Sequence, residues 1–327
     1  MPYRPSRRPM ALLIGIGSVF ALAACSSAPA TDASSGSASL THVRVSTLGF
    51  CDDPIVWGID QGIFADAGLD VELVTVQSGA AGVSALQADE IDIAYANPLT
   101  SLQAIENGVD LKIVSGSSLS NEKSYQVVVA GDSGITNAAG LEGATIAVNA
   151  LGSLGEIMTA RWIADNGRGA TAQFVALPFA DQVPSVKNGT VTAASTGYTQ
   201  AAASLADGSI RSLGNPYYDG VGEIPTSFYV AGSGWVSANE GAAESFASAM
   251  TTLAASASDP ANDDARFAVT AAACGSTAAD LADTLEPTYT GQLDAAQVSS
   301  LVDILVDAKA ISSIDLAAVL PDWARTA

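Results

Sequence analysis

Apolar and polar positions alternate with period two over residues 42–48, which predicts a strand. Asp53-Pro54 follows, a capping residue and a residue preorganised for the first helical turn. Ile55, Ile59 and Ile63 recur every four residues and give that helix one apolar face, and Gly68 ends it. Residues 71–76 predict a second strand, Ser78 caps a helix running to about Ala88, and residues 91–96 predict a third strand. Asn97-Pro98 repeats the cap-plus-proline pair, Gly108 closes that helix, and residues 111–114 form a fourth strand. A second series follows: strands at 125–130, 145–149, 174–177, 191–195 and 228–231, with helices at about 153–166 and 181–188 between them. After Asn239 the pattern is helical only, at 240–256, 261–274, 278–284, 295–309 and 316–323. Strands alternating with helices across short loops predict an α/β fold: two mixed or parallel sheets flanked by helices, then a helical tail.

The chain has 327 residues, 34 Asp and Glu against 13 Lys and Arg, and a net charge of −21. That balance excludes nucleic acid as a partner, because phosphate neutralisation needs a basic stripe. The basic residues that do cluster lie at the start. Arg4, Arg7 and Arg8 precede an apolar run from Met10 to about Ala24, shorter than a membrane-spanning helix needs, with the layout of a secretory signal. Removing such a leader takes away three basic residues and no acid, so the net charge becomes −24. The run ends in Leu22-Ala23-Ala24-Cys25, which resembles the bacterial lipobox. The resemblance implies a signal peptide over 1–24, lipidation of Cys25, and anchoring to the outer face of the cytoplasmic membrane. Residues 25–40 are small and polar and read as a flexible tether. Cys51 and Cys274 remain; an exported location permits a bridge, and their separation neither supports nor excludes one.

Open α/β sheets bind ligands beyond the carboxyl ends of their strands. The residues expected there are Phe50, Cys51 and Asp52 after the first strand, Ser78 after the second, Asn97 and Pro98 after the third, and Ser117 after the fourth. In the second series they are Gly152, Ser153 and Leu154, then Thr196 and Tyr198; Tyr229 completes the set. Several of these loops open helices, whose free N–H groups attract anions. Asp53 is expected to cap its helix; for Asp52 two readings stay open, an acid facing a cationic or amine-bearing ligand and a solvated loop acid. Phe50 and Tyr198 are the preferred aromatic platforms.

In combination, several runs resemble the solute-binding proteins of ABC importers for aliphatic sulfonates, nitrate and thiamine-precursor pyrimidines, which have the type II periplasmic-binding-protein fold. They are Trp57-Gly-Ile-Asp-Gln-Gly-Ile-Phe-Ala-Asp-Ala-Gly-Leu-Asp-Val-Glu-Leu73, Ser78-Gly-Ala-Ala81 with Glu90-Ile-Asp-Ile-Ala94, and Asp132-Ser-Gly-Ile135 with Leu141-Glu-Gly-Ala-Thr-Ile-Ala-Val148. Gly189-Thr-Val-Thr-Ala193 departs from that family's usual run by Thr192 in place of Asp. The resemblance implies two lobes, residues 41–126 with 229–327 and residues 127–228, hinged on two crossing strands at 125–130 and 228–231. It also implies a small-molecule ligand, an ABC permease and its ATPase as partners, a monomer, and no cofactor.

The rival reading is an exported enzyme. The one histidine, His42, begins the first strand, which removes an ordinary Ser-His-Asp or Cys-His arrangement. Gly167-Arg-Gly-Ala-Thr-Ala172 fits the dinucleotide fingerprint in letters, but it follows a helix and reads as a helix-ending turn. A sensory ligand-binding protein that does not transport is a third reading. Few cations lie near the candidate loops, so a neutral or amine-bearing heteroaromatic ligand ranks above a sulfonate- or nitrate-type oxyanion.

Overall fold

The computed structural model describes residues 39–51, 53–282 and 286–326. The expected leader, Cys25, nearly all of the tether and Asp52 lie outside the described residues.

The first series folds as β1 (Thr41–Thr47), α1 (Ile55–Asp60), α2 (Ile63–Asp66), β2 (Leu69–Thr75), α3 (Gly79–Gln87), β3 (Ala94–Ala96), α4 (Pro98–Glu106) and β4 (Leu111–Leu119). The second is β5 (Tyr125–Ala130), β6 (Thr145–Val148), α5 (Leu154–Asn166), β7 (Gln173–Ala176), α6 (Phe179–Lys187), β8 (Ala193–Gly197), α7 (Tyr198–Ala206) and β9 (Ile210–Gly214). The chain then returns through β10 (Pro225–Gly232), α8 (Ser233–Ala238), α9 (Glu240–Ala257), α10 (Asp263–Cys274), α11 (Ala278–Ala282), β11 (Thr288–Tyr289), α12 (Ala295–Asp307) and α13 (Leu316–Val319).

Sheet membership divides these elements. Strands β11-β4-β10-β3 form one sheet, extended by the parallel pair β1–β2 through the Val45–Ile93 bridge. Strands β7-β6-β8-β5-β9 form the other. Both sheets are mixed: β10 runs antiparallel between β3 and β4, and β5 antiparallel between β8 and β9, while β6 is parallel to β7 and β8. Each sheet is covered on both faces. On the first, α9 supplies Phe246 and Leu253 to one apolar cluster, and α4 and α12 supply Leu102 and Leu301 to the other. On the second, α5 packs Trp162 and Ile163 on one face, and α6 packs Val183 and Val186 on the opposite one. The helical tail thus supplies half the cover of the first sheet.

The strands expected to cross between lobes do not. Tyr125–Ala130 lies wholly in the five-stranded sheet and residues 228–231 wholly in the four-stranded one, because each is hydrogen-bonded on both sides within its own sheet. The chain passes between the sheets at residues 120–124 and 215–224 instead. These segments are tied together: Ser120 N–H donates to the Ile224 carbonyl (2.8 Å), Ile224 N–H donates to Ser120 Oγ (3.0 Å), and Asn215 Nδ2 donates to the Asn121 carbonyl (2.8 Å). Tyr125 and Tyr217 stack at 4.1 Å beside them.

The helix expected from Pro54 to Gly68 is broken. Gly62 adopts φ +72°, a conformation open to glycine at little cost, and separates α1 from α2. Ile63 thus falls on a separate helix, and within α1 Ile55 is fully buried while Ile59 is exposed. Cys51 and Cys274 are joined in a disulfide that spans 223 residues of chain.

Candidate functional site

At the carboxyl end of β1 the chain turns at Gly49 and leaves Phe50 exposed, 53% of its surface open to solvent. This loop is held from two sides. Outside, Cys51 bridges to Cys274 of α10 and packs against Phe267, Ala271 and Leu281. Inside, Asp53 is buried and collects donors. Thr47 Oγ1 donates to Oδ2 (3.0 Å), and Ile55 N–H and the Tyr229 hydroxyl donate to Oδ1 (3.1 and 3.3 Å). Asp53 therefore caps the start of α1, as its place before Pro54 indicates. Thr47 Oγ1 in turn accepts from Gly49 N–H (3.0 Å), so the carboxylate fixes the turn that presents Phe50.

Tyr229 does not reach solvent. It is fully buried on β10, in edge contact with Tyr95 and Phe246, and acts as packing rather than as a stacking platform. Burial first, then the nearby Asp53 and Tyr95, push its hydroxyl well above the ordinary phenol range. Ser117 is buried as well, and its proximity works weakly to lower the same phenol. Pro98 is buried and holds the first helical position behind the Asn97 cap, where its missing N–H costs nothing. Asn97 is exposed and accepts from Thr100 N–H (2.9 Å); Ser78 is exposed and accepts from Ala81 N–H (3.1 Å).

On the second sheet, Gly152 stands at φ +70° and Ser153 caps α5, accepting from Glu156 N–H (3.3 Å). Glu156 reaches back, and its carboxylate accepts the Gly152 N–H (2.7 Å). This reciprocal capping places the chain's own negative charge on a helix N-terminus whose N–H groups would otherwise attract an anion. Leu154 is a core residue, buried in a cluster with Met158, Tyr217 and Ile224. Thr196 is fully buried at the end of β8, and its hydroxyl finds no hydrogen-bond partner among the described residues. Tyr198 opens α7, half-buried, with its N–H donating to the Ser124 carbonyl (3.1 Å).

The expected residues thus divide between the two sheets, and Pro98, Ser117, Leu154, Thr196 and Tyr229 are buried; Ser117 lies within β4, which runs on to Leu119, and not in a loop after it. A feature the sequence reading missed is an open depression of about 350 Å³ along the crossing segments, lined by Asn121, Glu122, Lys123, Tyr218, Glu223 and Glu286. None of the expected ligand-binding residues lines it. Its only advance signal was two polar runs between strands, and nothing in their spacing tells that they meet.

A family model described as NMT1/THI5 like matches residues 53–262. The chain belongs to the NMT1/THI5-like family. The match begins at the Asp53 cap and ends after α9, so it takes in β2 to β10, with the whole five-stranded sheet and the two crossing segments, and leaves out β1 and β11. No curated protein matches the chain by sequence. Among solved structures, this NMT1/THI5-like chain is similar to the periplasmic aliphatic sulphonate binding protein SsuA from Escherichia coli. That match has 18% identity and a TM-score of 0.72, covering 85% of this chain and 97% of that one. It is similar to the periplasmic nitrate-binding protein NrtA from Synechocystis PCC 6803, with 16% identity and a TM-score of 0.58, over 74% and 69% of the two chains. It is also similar to the desulfurization enzyme DszB, with 17% identity and a TM-score of 0.62, over 86% and 97%. At these identities the likeness establishes the periplasmic-binding-protein fold, which carries both binding and catalysis.

Proposed function

We propose that this NMT1/THI5-like chain is an extracytoplasmic solute-binding protein. Two α/β units, one built on residues 41–119 and 225–326 and the other on residues 125–214, shut on a small organic solute. The solute is then released to an ABC permease driven by its ATPase, and a lipid on Cys25 holds the protein, as a monomer, at the outer face of the membrane. The observation that carries the reading is the pair of sheets linked through two bonded segments, with strand-end loops on both sheets. Hinge motion there needs only a few backbone torsions, and a solute touching both loop sets selects the closed form. The likeness to SsuA and NrtA, both named as periplasmic binding proteins, supports it.

Two features weigh against the enzyme reading that DszB raises. His42 bonds Asp70 and Glu72 at the exposed edge of β1–β2, and the Asp70 hydrogen bond leads in raising its pKa, which suits a structural cation better than a base. Cys51 is joined to Cys274 and has no free thiol. The Glu156 carboxylate on the α5 N-terminus favours a neutral or amine-bearing solute, heteroaromatic in the preferred case, over a sulfonate or nitrate.

The test is a thermal-shift and calorimetric screen of the full chain carrying Cys25→Ser against pyrimidines, amines, sulfonates and nitrate. A solute at a hundred times its dissociation constant stabilises the native state by about 2.7 kcal/mol. If none of these solutes raises the melting temperature, and protein taken from its native host releases no small molecule on denaturation, the reading fails.

A further inference from the structure

Helix α10 is gripped at two points about 12 Å apart along its axis, the rise of eight residues. At its C-terminal end Cys274 bridges to Cys51, in the loop that presents Phe50. At the end of its first turn, Arg266 is almost wholly buried and forks onto Glu286. Nη1 donates to Oε1, and Nη2 donates to Oε2 at 2.7 Å and to Asp263 at 2.8 Å. The guanidinium also lies over the Phe267 ring at 4.6 Å, and Phe267 packs against Cys51. From Glu286 the connection continues through the backbone. Its carbonyl accepts from Asn121 Nδ2 (2.7 Å), and the Asn121 carbonyl accepts from Asn215 Nδ2 (2.8 Å). Asn121 and Asn215 stand on the two segments that cross between the sheets. A continuous path of covalent, ionic and hydrogen bonds therefore runs from the loop after β1 to both crossings, by way of one helix.

We propose that α10 is a strut coupling the Phe50 loop to the crossing segments, and that the Cys51–Cys274 bridge is its redox-sensitive joint. With the bridge closed, a displacement of the loop is carried to Glu286 and so to the hinge; with it open, the loop moves alone. Burial of Arg266 makes the far joint stiff, since a buried guanidinium stripped of its carboxylate is strongly unfavourable. Both sulfurs belong to half-buried residues within reach of a small thiol. Opening the bridge takes two electrons and two protons from a dithiol, which itself becomes a disulfide, and yields two cysteine thiols.

The readout is amide hydrogen exchange on the full chain carrying Cys25→Ser, with dithiothreitol as the dithiol and thiol content checked by mass. It needs no solute, so its outcome is separate from that of the solute-binding reading. Reduction is expected to speed exchange by about tenfold at residues 47–51 and also at 120–124 and 215–224, leaving residues 127–129 and 146–148 unchanged. In Asn121→Ala, with the bridge intact, the crossing segments are expected to exchange fast already, and reduction to add nothing there. Faster exchange confined to residues 47–51 and the end of α10 overturns the proposal, since the bridge then only pins a loop. Should reduction unfold the whole chain, Glu286→Gln decides. It keeps the bridge and weakens the Arg266 joint, so it must speed exchange at both crossing segments, and unchanged exchange there overturns the strut.

Discussion

The Tyr229 hydroxyl donates a 3.3 Å hydrogen bond to the Asp53 carboxylate, joining the middle of β10 to the cap of α1 inside the first sheet's core. Both residues are buried, and Asp53 keeps other donors, so the tyrosine is one support among several. Tyr229→Phe is expected to lower stability by about 1–2 kcal/mol, the worth of a hydrogen bond to a charged group partly compensated by the remaining donors. Asp53→Ala leaves three donors without their acceptor and is expected to cost more. Urea unfolding of the two variants checks the order; equal losses would mean that the phenol carries the whole effect.

Tyr229 shares one property with Tyr217 at the crossing segments. Burial is the main cause that raises both hydroxyls well above the ordinary value of 10, with Asp53 adding to the first and Tyr125 to the second. Folding thus favours their protonated forms. Above about pH 10 the unfolded chain releases these protons while the folded one keeps them, so stability falls as pH rises from there. Urea midpoints measured between pH 8 and 11 are expected to decline at the alkaline end, and to decline less steeply in Tyr217→Phe.

The acid side is governed elsewhere. Burial works to raise the Asp92 carboxyl, but side-chain and backbone hydrogen bonds from Arg44, at 3.0, 2.8 and 2.8 Å, outweigh it and hold the group below its ordinary value. A depressed carboxyl adds stability that is present above its unfolded value, about 3.8, and is lost as pH falls through that range. Asp92→Asn is expected to cost about 1–2 kcal/mol at neutral pH and to flatten the stability loss between about pH 4 and 2.

How much of this was legible in the sequence depends on whether a feature is local. Alternation and caps located β1, β2, α3, α4 and α5 to within a residue or two, because Ser78, Asn97 and Ser153 bond amides only three residues away. The Ile55–Ile59–Ile63 spacing misled, since Gly62 breaks the helix and three isoleucines cannot report a backbone turn. Tyr229 was a candidate ligand residue on an expected crossing strand; its burial comes from β3, β4 and α9, all distant in sequence. The bridge was left open for the same reason, since α10 alone brings Cys274 to Cys51. Glu156 was the one local signal overlooked: Ser153-Leu-Gly-Glu156 has the capping-box spacing, which says in advance that the helix start is already occupied.

That capping box can be opened. Glu156→Ala removes the carboxylate from Gly152 N–H and from the α5 dipole, and is expected to cost about 0.5–1 kcal/mol. It also frees an N–H beside a helix N-terminus. If the native carboxylate is what disfavours oxyanions, the variant gains thermal stabilisation from sulfonates or nitrate that the parent lacks. Unchanged responses to these anions would remove Glu156 from the account of solute choice.

Phe50 gives the sharpest separation of binding from folding. It is the exposed tip of a loop whose fixation comes from its neighbours Cys51 and Asp53, so truncating it leaves the bridge and the buried carboxylate untouched. Exposed residues away from such features change stability by no more than about 0.5 kcal/mol. A ring that stacks on a planar solute contributes about 0.5–1.5 kcal/mol beyond its area, so Phe50→Ala is expected to weaken calorimetric binding of a pyrimidine up to about tenfold. The solute-free melting temperature is expected to stay within a degree or two of the parent. Full affinity in Phe50→Ala would place the solute away from the β1 loop. A large fall in melting temperature would instead make this ring part of the packing between the Cys51 loop and α10.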